Sequence, residues 1–204
     1  MSSLNELVYL CKLIGSDFEL SQAGGGNISI KFGGNIFIKS SGLILSEVEE
    51  HYGITPIPLK QGLAFTSKLD LIDEASYGKE LEAIATPDSL RPSMETPLHL
   101  LLKQKYIIHC HPLSVLALCS STTGEIELRD NFPSAVWVPY SSPGLKLARH
   151  FKESVDLTQN IYFMQNHGLI IAHDSKDEAI DLLTKTIEKC TMICGDESNQ
   201  IQFV

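Results

Sequence analysis

The segment Ile107-Ile108-His109-Cys110-His111 carries two imidazoles with one residue between them. In an extended chain the period of two places both rings on one face and the Cys110 thiol on the other, so two metal-ligand nitrogens stand side by side. A third imidazole, His167, lies in Asn166-His167-Gly168, at the tip of an expected strand-turn-strand. There a side chain can be aimed across a sheet while the glycine permits a tight backbone. Three neutral imidazoles that leave one coordination position open are the donor set of a catalytic zinc rather than a structural one. His99 and His173 compete for the third place. His99 falls one turn beyond Glu95 on an expected helix and His173 follows an apolar strand, so both read as structural, and His51 and His150 read as surface residues.

Glu95 is the carboxylate nearest this cluster in sequence, in the first turn of the helix that leads into the His109-Cys110-His111 strand. An acid there can serve chemistry at the metal or simply stabilise the helix N-terminus. Gly24-Gly25-Gly26-Asn27 precedes a strand, whereas a dinucleotide fingerprint must follow a strand and open a helix. These glycines either let backbone N–H groups converge on an anion, with the Asn27 amide as an added donor, or form a flexible turn. Ser40-Ser41-Gly42 supplies further donors at the far end of the next hairpin.

The elements that must position these groups are legible in outline. Ser3-Leu4-Asn5-Glu6 has the S-x-x-E form of a helix start, followed by Leu4, Leu7, Val8, Cys11 and Ile14 at helical spacing. Residues 27–32 and 35–39 alternate around Gly33-Gly34 and predict a β-hairpin. Residues 43–92 carry little signal: 51–59 contains two prolines, and 73–85 has a weak helical period with Leu81 and Ile84 on one face. Then follow a helix over 98–102 with Pro97 in its first turn, a strand over 106–111, a helix from Pro112 to Leu118, a short strand over 136–138, a helix over 145–151, strands over 161–164 and 168–172, and a long helix opened by the Ser175/Glu178 box to about Cys194. Tight turns join several strands, which predicts a largely antiparallel sheet.

With 204 residues, 43% of them apolar, the chain suits a single domain over residues 1–204 with one sizeable core. Sixteen basic against twenty-five acidic residues give a net charge of −9 without a basic stripe, which excludes a nucleic-acid backbone as partner. A small anionic substrate remains compatible, because a local pocket of N–H groups and a metal can outweigh the global field. Five cysteines, odd in number and without a C-x-x-C pair, argue against a disulfide framework. No uncharged stretch has membrane-spanning length and the N-terminus has no leader pattern, so the expectation is a cytoplasmic protein.

Taken in order, Gly26-Asn27-Ile28-Ser29, Ser41-Gly42, Pro92-Ser93-Met94-Glu95 with His99, His109-Cys110-His111-Pro112, Pro139-Tyr140 and Asn166-His167-Gly168-Leu169 resemble the class II aldolase/adducin family, which includes the fuculose-phosphate and rhamnulose-phosphate aldolases. The match runs from Gly24 to about Asp174. The resemblance implies a three-layer α/β/α fold with a mainly antiparallel central sheet, zinc (or another divalent cation) on His109, His111 and His167, and Glu95 as acid/base. It also implies a phosphate pocket of Gly26, Asn27, Ser41, Gly42 and Ser93, and a ring of four subunits. The reaction it implies is cleavage or formation of a C–C bond in a ketose or ketose phosphate through a metal-stabilised enediolate. Decarboxylation or epimerisation of a sugar acid on the same metal site is the alternative enzyme, and a non-catalytic adducin-like scaffold the alternative of another class. Three departures stand out: Met94 replaces a usual Ser or Thr, the stretch between Glu95 and His109 is short, and no tyrosine in 124–133 matches the proton donor that such aldolases borrow from a neighbour, since Tyr140 aligns elsewhere.

Overall fold

The structure is a computed structural model that describes residues 3–195. The ends of the expected 1–204 domain, residues 1–2 and 196–204, lie outside the described residues. In chain order the strands are β1 (Asn27–Phe32), β2 (Asn35–Lys39), β3 (Ile54–Pro58), β4 (Tyr106–Cys110), β5 (Val136–Val138), β6 (Ile161–Met164) and β7 (Gly168–His173). The helices are α1 (Ser3–Gly15), α2 (Leu59–Ser67), α3 (Glu74–Ala83), α4 (Thr96–Leu101), α5 (Leu113–Cys119), α6 (Gly124–Asn131), α7 (Leu145–Ser154) and α8 (Lys176–Gly195). The strands form one sheet in the order β3-β2-β1-β4-β7-β6-β5. Every pairing is antiparallel except β5 with β6.

Side-chain alternation sorts the sheet into two buried faces. Ile28, Ile30, Ile108, Cys110, Leu169 and Ile171 pack against α1, α5 and α8 through Leu7, Leu10, Cys11, Val115, Leu118 and Leu183. The opposite face, with Ile107, Tyr162, Met164 and Ile170, is covered by Phe65 of α2, Leu81 of α3, Leu98 of α4 and Phe151 of α7. The result is the expected three-layer α/β/α arrangement around a mainly antiparallel sheet.

The stretch that gave little signal holds β3, α2 and α3. The prolines of β3 are tolerated because this is an edge strand, where a missing N–H breaks no ladder on the open side. Helix α6 went unread because it buries little more than Leu128 and leaves Ile126 exposed. Both S-x-x-E boxes differ from expectation. Glu6 accepts the phenol of Tyr106 at 2.8 Å, and Glu178 turns to His173 Nδ1 at 3.2 Å while its own N–H meets Ser175 Oγ at 3.4 Å. Tyr106, distant in sequence, thus draws Glu6 away from its helix start, while the Ser175 N–H that Glu178 was expected to cap donates to His173 Nδ1 at 3.1 Å. His150 is half-buried with a buried Nε2, which corrects its reading as a surface residue, whereas His51 is exposed.

Candidate active site

His109 sits in β4 directly between Asn27 of β1 and Ile170 of β7. It is buried, and its Nδ1–H donates to the Leu169 carbonyl at 2.9 Å, which leaves the Nε2 lone pair facing outward. His111 lies just past the strand end, anchored by its N–H to the Leu20 carbonyl at 2.9 Å. Its Nε2 is 3.1 Å from His109 Nε2. Two nitrogens about 2.0–2.1 Å from one tetrahedral zinc stand about 3.3 Å apart, so this separation suits two ligands of one ion. His167 arrives from the turn between β6 and β7, where Asn166 takes a left-handed φ of 54° and the His167 N–H closes onto the Met164 carbonyl at 3.1 Å. One ligand atom from each of the three rings lies within 4.8 Å of the others. His173 is at the far end of β7 on Glu178, outside this group.

Glycines are required where these rings pack. A Cβ on Gly168 would stand 2.7 Å from His111 Cδ2 and 2.7 Å from the Cys110 carbonyl, and one on Gly25 would stand 2.6 Å from His111 Nδ1. The fit of this chain to a metal therefore rests on its rings' convergence, on the fixed tautomer of His109, and on a backbone pared away beside them. Burial, followed by repulsion from His109 and His167, pushes His111 down to about 3, and burial also lowers His109, so both rings are biased toward the neutral form a metal requires.

Glu95 is the N-cap residue of α4 but its side chain makes no capping bond. The carboxylate turns instead to the histidines, with Oε1 2.8 Å from His167 Nε2 and Oε2 3.4 Å from His109 Nε2. Asn27 Nδ2–H donates to Oε2 at 2.7 Å and to Ser93 Oγ at 3.2 Å. Burial opposes the charged form, yet His109, His167 and Asn27 outweigh it and hold the carboxyl well below the usual range. Behind Asn27 lies His99, fully buried, its Nε2 meeting Asn27 Oδ1 and its Nδ1 2.7 Å from Ser29 Oγ. Burial, then His109 and Lys31, pushes His99 well below its ordinary value, so this ring is neutral.

His111, His167 and Glu95 open onto a cleft of about 210 Å³, with His109 buried behind them. Gly24, Gly25 and Gly26 form one wall, Ser41 and Gly42 a second, and Ser93 and Met94 a third. These loops meet because the Ser41 N–H donates to the Arg91 carbonyl at 2.8 Å and Ser40 bridges to Pro92. All five expected anion-pocket residues therefore gather, although the Asn27 side chain is committed to Glu95 and Ser93. Lys39 also lines the cleft, and nothing in the sequence reading singled it out. It is buried at the end of β2, with Nζ near the carbonyls of Gly26 at 3.3 Å and Gly24 at 3.4 Å. Burial lowers its pKa, partly countered by Cys11, Glu95 and Glu47. The only available signal was a lysine closing an otherwise apolar alternation just before Ser40-Ser41-Gly42. Tyr140 is exposed and engages Gln165 through its backbone N–H.

The cleft can therefore hold one divalent cation, a carboxylate beside it, and an anionic substituent on the glycine side. Comparison with known proteins bears on the frame that holds it. The model of the "Class II Aldolase and Adducin N-terminal domain" matches residues 5–194. An "Uncharacterized oxidoreductase YuxG" from Bacillus subtilis (strain 168) is 28% identical over 209 residues, which cover 97% of this chain but 30% of that protein. The chain thus spans about 30% of the length of the curated relative it matches. Among solved structures, the N-terminal class II aldolase domain of a conserved protein from Thermoplasma acidophilum is 27% identical with a TM-score of 0.84, covering 94% of this chain and 93% of that one. The L-fuculose-1-phosphate aldolase from Thermus thermophilus shares the fold at 17% identity, with a TM-score of 0.59 and 95% of each chain covered. With residues 5–194 matched, nearly the whole described length, the chain belongs to the class II aldolase and adducin N-terminal domain family.

Proposed function

We propose that this domain is a divalent-metal-dependent lyase that cleaves or forms a C–C bond in a ketose or ketose phosphate, with His109, His111 and His167 holding zinc or a similar cation. The observation that carries the proposal is the convergence of three histidine nitrogens, with a carboxylate 2.8 Å from one of them and 3.4 Å from a second. A scaffold has no use for a buried carboxylate kept ionised among ligand imidazoles, because burying such a group is unfavourable without a task or a partner ion. The oxidoreductase label belongs to a much longer protein. The glycine loop here precedes β1 and opens onto the histidines, without the strand-to-helix setting of dinucleotide binding.

A bound cation would supply Lewis-acid stabilisation of the negative charge that develops on substrate oxygens. The protein's own residues do the rest. In cleavage, the substrate's β-hydroxyl loses its proton, the electrons of the C–C bond pass toward the carbonyl, and the carbon left behind is reprotonated. Glu95 is the group placed to carry that proton, being ionised and locked between Asn27 and His167. The N–H groups of Gly24, Gly26 and Gly42, with Ser93 Oγ and the Lys39 ammonium, favour an anionic end group such as a phosphate. No lysine Schiff base is needed. The resemblance to ring-forming aldolases supports a homotetramer, for which light scattering on the purified chain is the check.

The decisive experiment is elemental analysis of the purified protein followed by a screen of phosphorylated and free ketoses and keto acids. About one divalent metal per chain with aldehyde release is expected. Carbon dioxide release would replace aldol cleavage by decarboxylation, isomerised substrate by epimerisation, and a metal-free inactive protein would leave only the scaffold.

A further inference from the structure

Four buried polar side chains run in a line from the sheet to the cleft: Ser29 and Asn27 on β1, His99 on α4 between them, and Glu95 at the front. Ser29 and Asn27 share a face because they are two residues apart on one strand, and α4 lies over that face. A neutral imidazole has one N–H. Glu95 Oε2 accepts only, so it requires the Asn27 NH2 on its side, and the amide oxygen must then face His99. That oxygen also accepts only, so the His99 proton sits on Nε2, and Nδ1 accepts the Ser29 hydroxyl proton at 2.7 Å. The second Asn27 N–H is used by Ser93 Oγ. Every donor in the line has one direction open to it.

We propose that His99 is a positioning residue, which acts through the Asn27 amide to fix the plane of the Glu95 carboxylate against His167 and His109. The effect on turnover rests on the lyase reading above; the link between His99 and Asn27 does not. Without the Nε2 donor the buried amide oxygen has no partner, and the amide is free to turn its oxygen toward the carboxylate, where two acceptors repel. Glu95 then loses the hydrogen bond that holds Oε2, and with it the fixed aim of Oε1. The helix α4 thereby serves the site twice, presenting Glu95 at its cap and its lock one turn later.

The test begins with the metal-free full chain labelled with 15N in asparagine side chains. The Asn27 amide protons, identified by their loss in Asn27→Ala, are expected as a slowly exchanging pair that moves in Glu95→Gln. The pair should persist in His99→Gln, whose amide N–H can reach the same oxygen. In His99→Phe, which keeps the bulk without the donor, it should broaden into solvent exchange. An unmoved, protected pair in His99→Phe overturns the proposal. Should that variant not fold, His99→Leu takes its place with the same two outcomes. In the metal-loaded enzyme, His99→Phe should lower kcat roughly 10- to 100-fold, as loss of groups that orient active residues does, with KM changed by less than about twofold. His99→Gln should restore most of it, and in an Asn27→Ala background the substitution should cost nothing further. A full additional loss in that background shows a different route and also overturns the proposal. If the wild type binds no metal and cleaves nothing, the lyase reading fails, and the amide resonances still decide the role of His99.

Discussion

At the scale of single residues, the site combines groups that need opposite things from their surroundings. His109 and His111 must be neutral to offer lone pairs, which burial favours; Glu95 must be charged in the same buried place, which the neighbouring His109 and His167 and the Asn27 N–H favour. We expect His109→Ala and His111→Ala to fold but to retain no metal by elemental analysis, and to lose all activity. Glu95→Gln should retain the metal while turnover falls about 10²- to 10⁴-fold, the usual worth of a positioned proton carrier. Normal turnover in that variant would remove Glu95 from the chemistry. Gly168→Ala forces a methyl against both the His111 ring and the Cys110 carbonyl, so it should weaken metal binding in calorimetric titration and cost about 1–3 kcal/mol of stability in denaturant unfolding.

At the scale of elements, strand register and two turns aim the side chains. The pairing of Asn27 with His109 across β1 and β4 sets the amide beside the first imidazole, and the β6–β7 turn brings His167 to it. Asn166 bears the left-handed φ that this turn requires, a conformation open to Asn and Gly and unfavourable for branched residues. Asn166→Gly should therefore match the wild type in metal content, while Asn166→Val should lose about 1–2 kcal/mol in urea unfolding and bind metal more weakly. Equal metal affinity in the two variants would show that the turn does not aim His167. At the other end of β7, Ser175 accepts the Glu178 N–H and its carbonyl accepts the Ala179 N–H, a helix cap remote from the cleft. Ser175→Ala should lower stability by about 0.5–2 kcal/mol and leave metal binding untouched, which separates stability from function by experiment.

At the scale of the whole molecule, a cation held by the three histidines would link segments distant in sequence, since the end of β4 and the β6–β7 turn bring their rings to one cluster. An ion bound only by the folded chain stabilises it by mass action, about 2.7 kcal/mol at one hundred times its dissociation constant. For a chain of this size that corresponds to a rise of about 5–10 °C in Tm. Differential scanning calorimetry of chelator-treated protein, with and without added zinc, should show the rise in the wild type and not in His111→Ala; no difference between the two would dissociate the histidines from the metal. Among the described residues no helix is long and apolar enough to cross a membrane, and the charge of −9 is spread over the surface, so attraction of an anion must be local.

The sequence alone determined that the His109 and His111 rings share one face at the end of β4, because a period of two is a local property of an extended chain, and it located the hairpin, the glycine loop and the last helix by patterns equally local. It could also nominate His167 and Glu95, and it placed Cys110 correctly on the opposite face. What it left open were choices between partners far apart in the chain. Whether Glu95 caps its helix or turns inward, whether Glu6 closes its box or reaches Tyr106, and whether His99 merely fills space or grips Asn27 depend on which polar groups the packed layers bring within about 3 Å. Lys39 was invisible for the same reason: its burial comes from the Gly24–Gly26 loop folding back over the end of β2, a contact that no local pattern encodes.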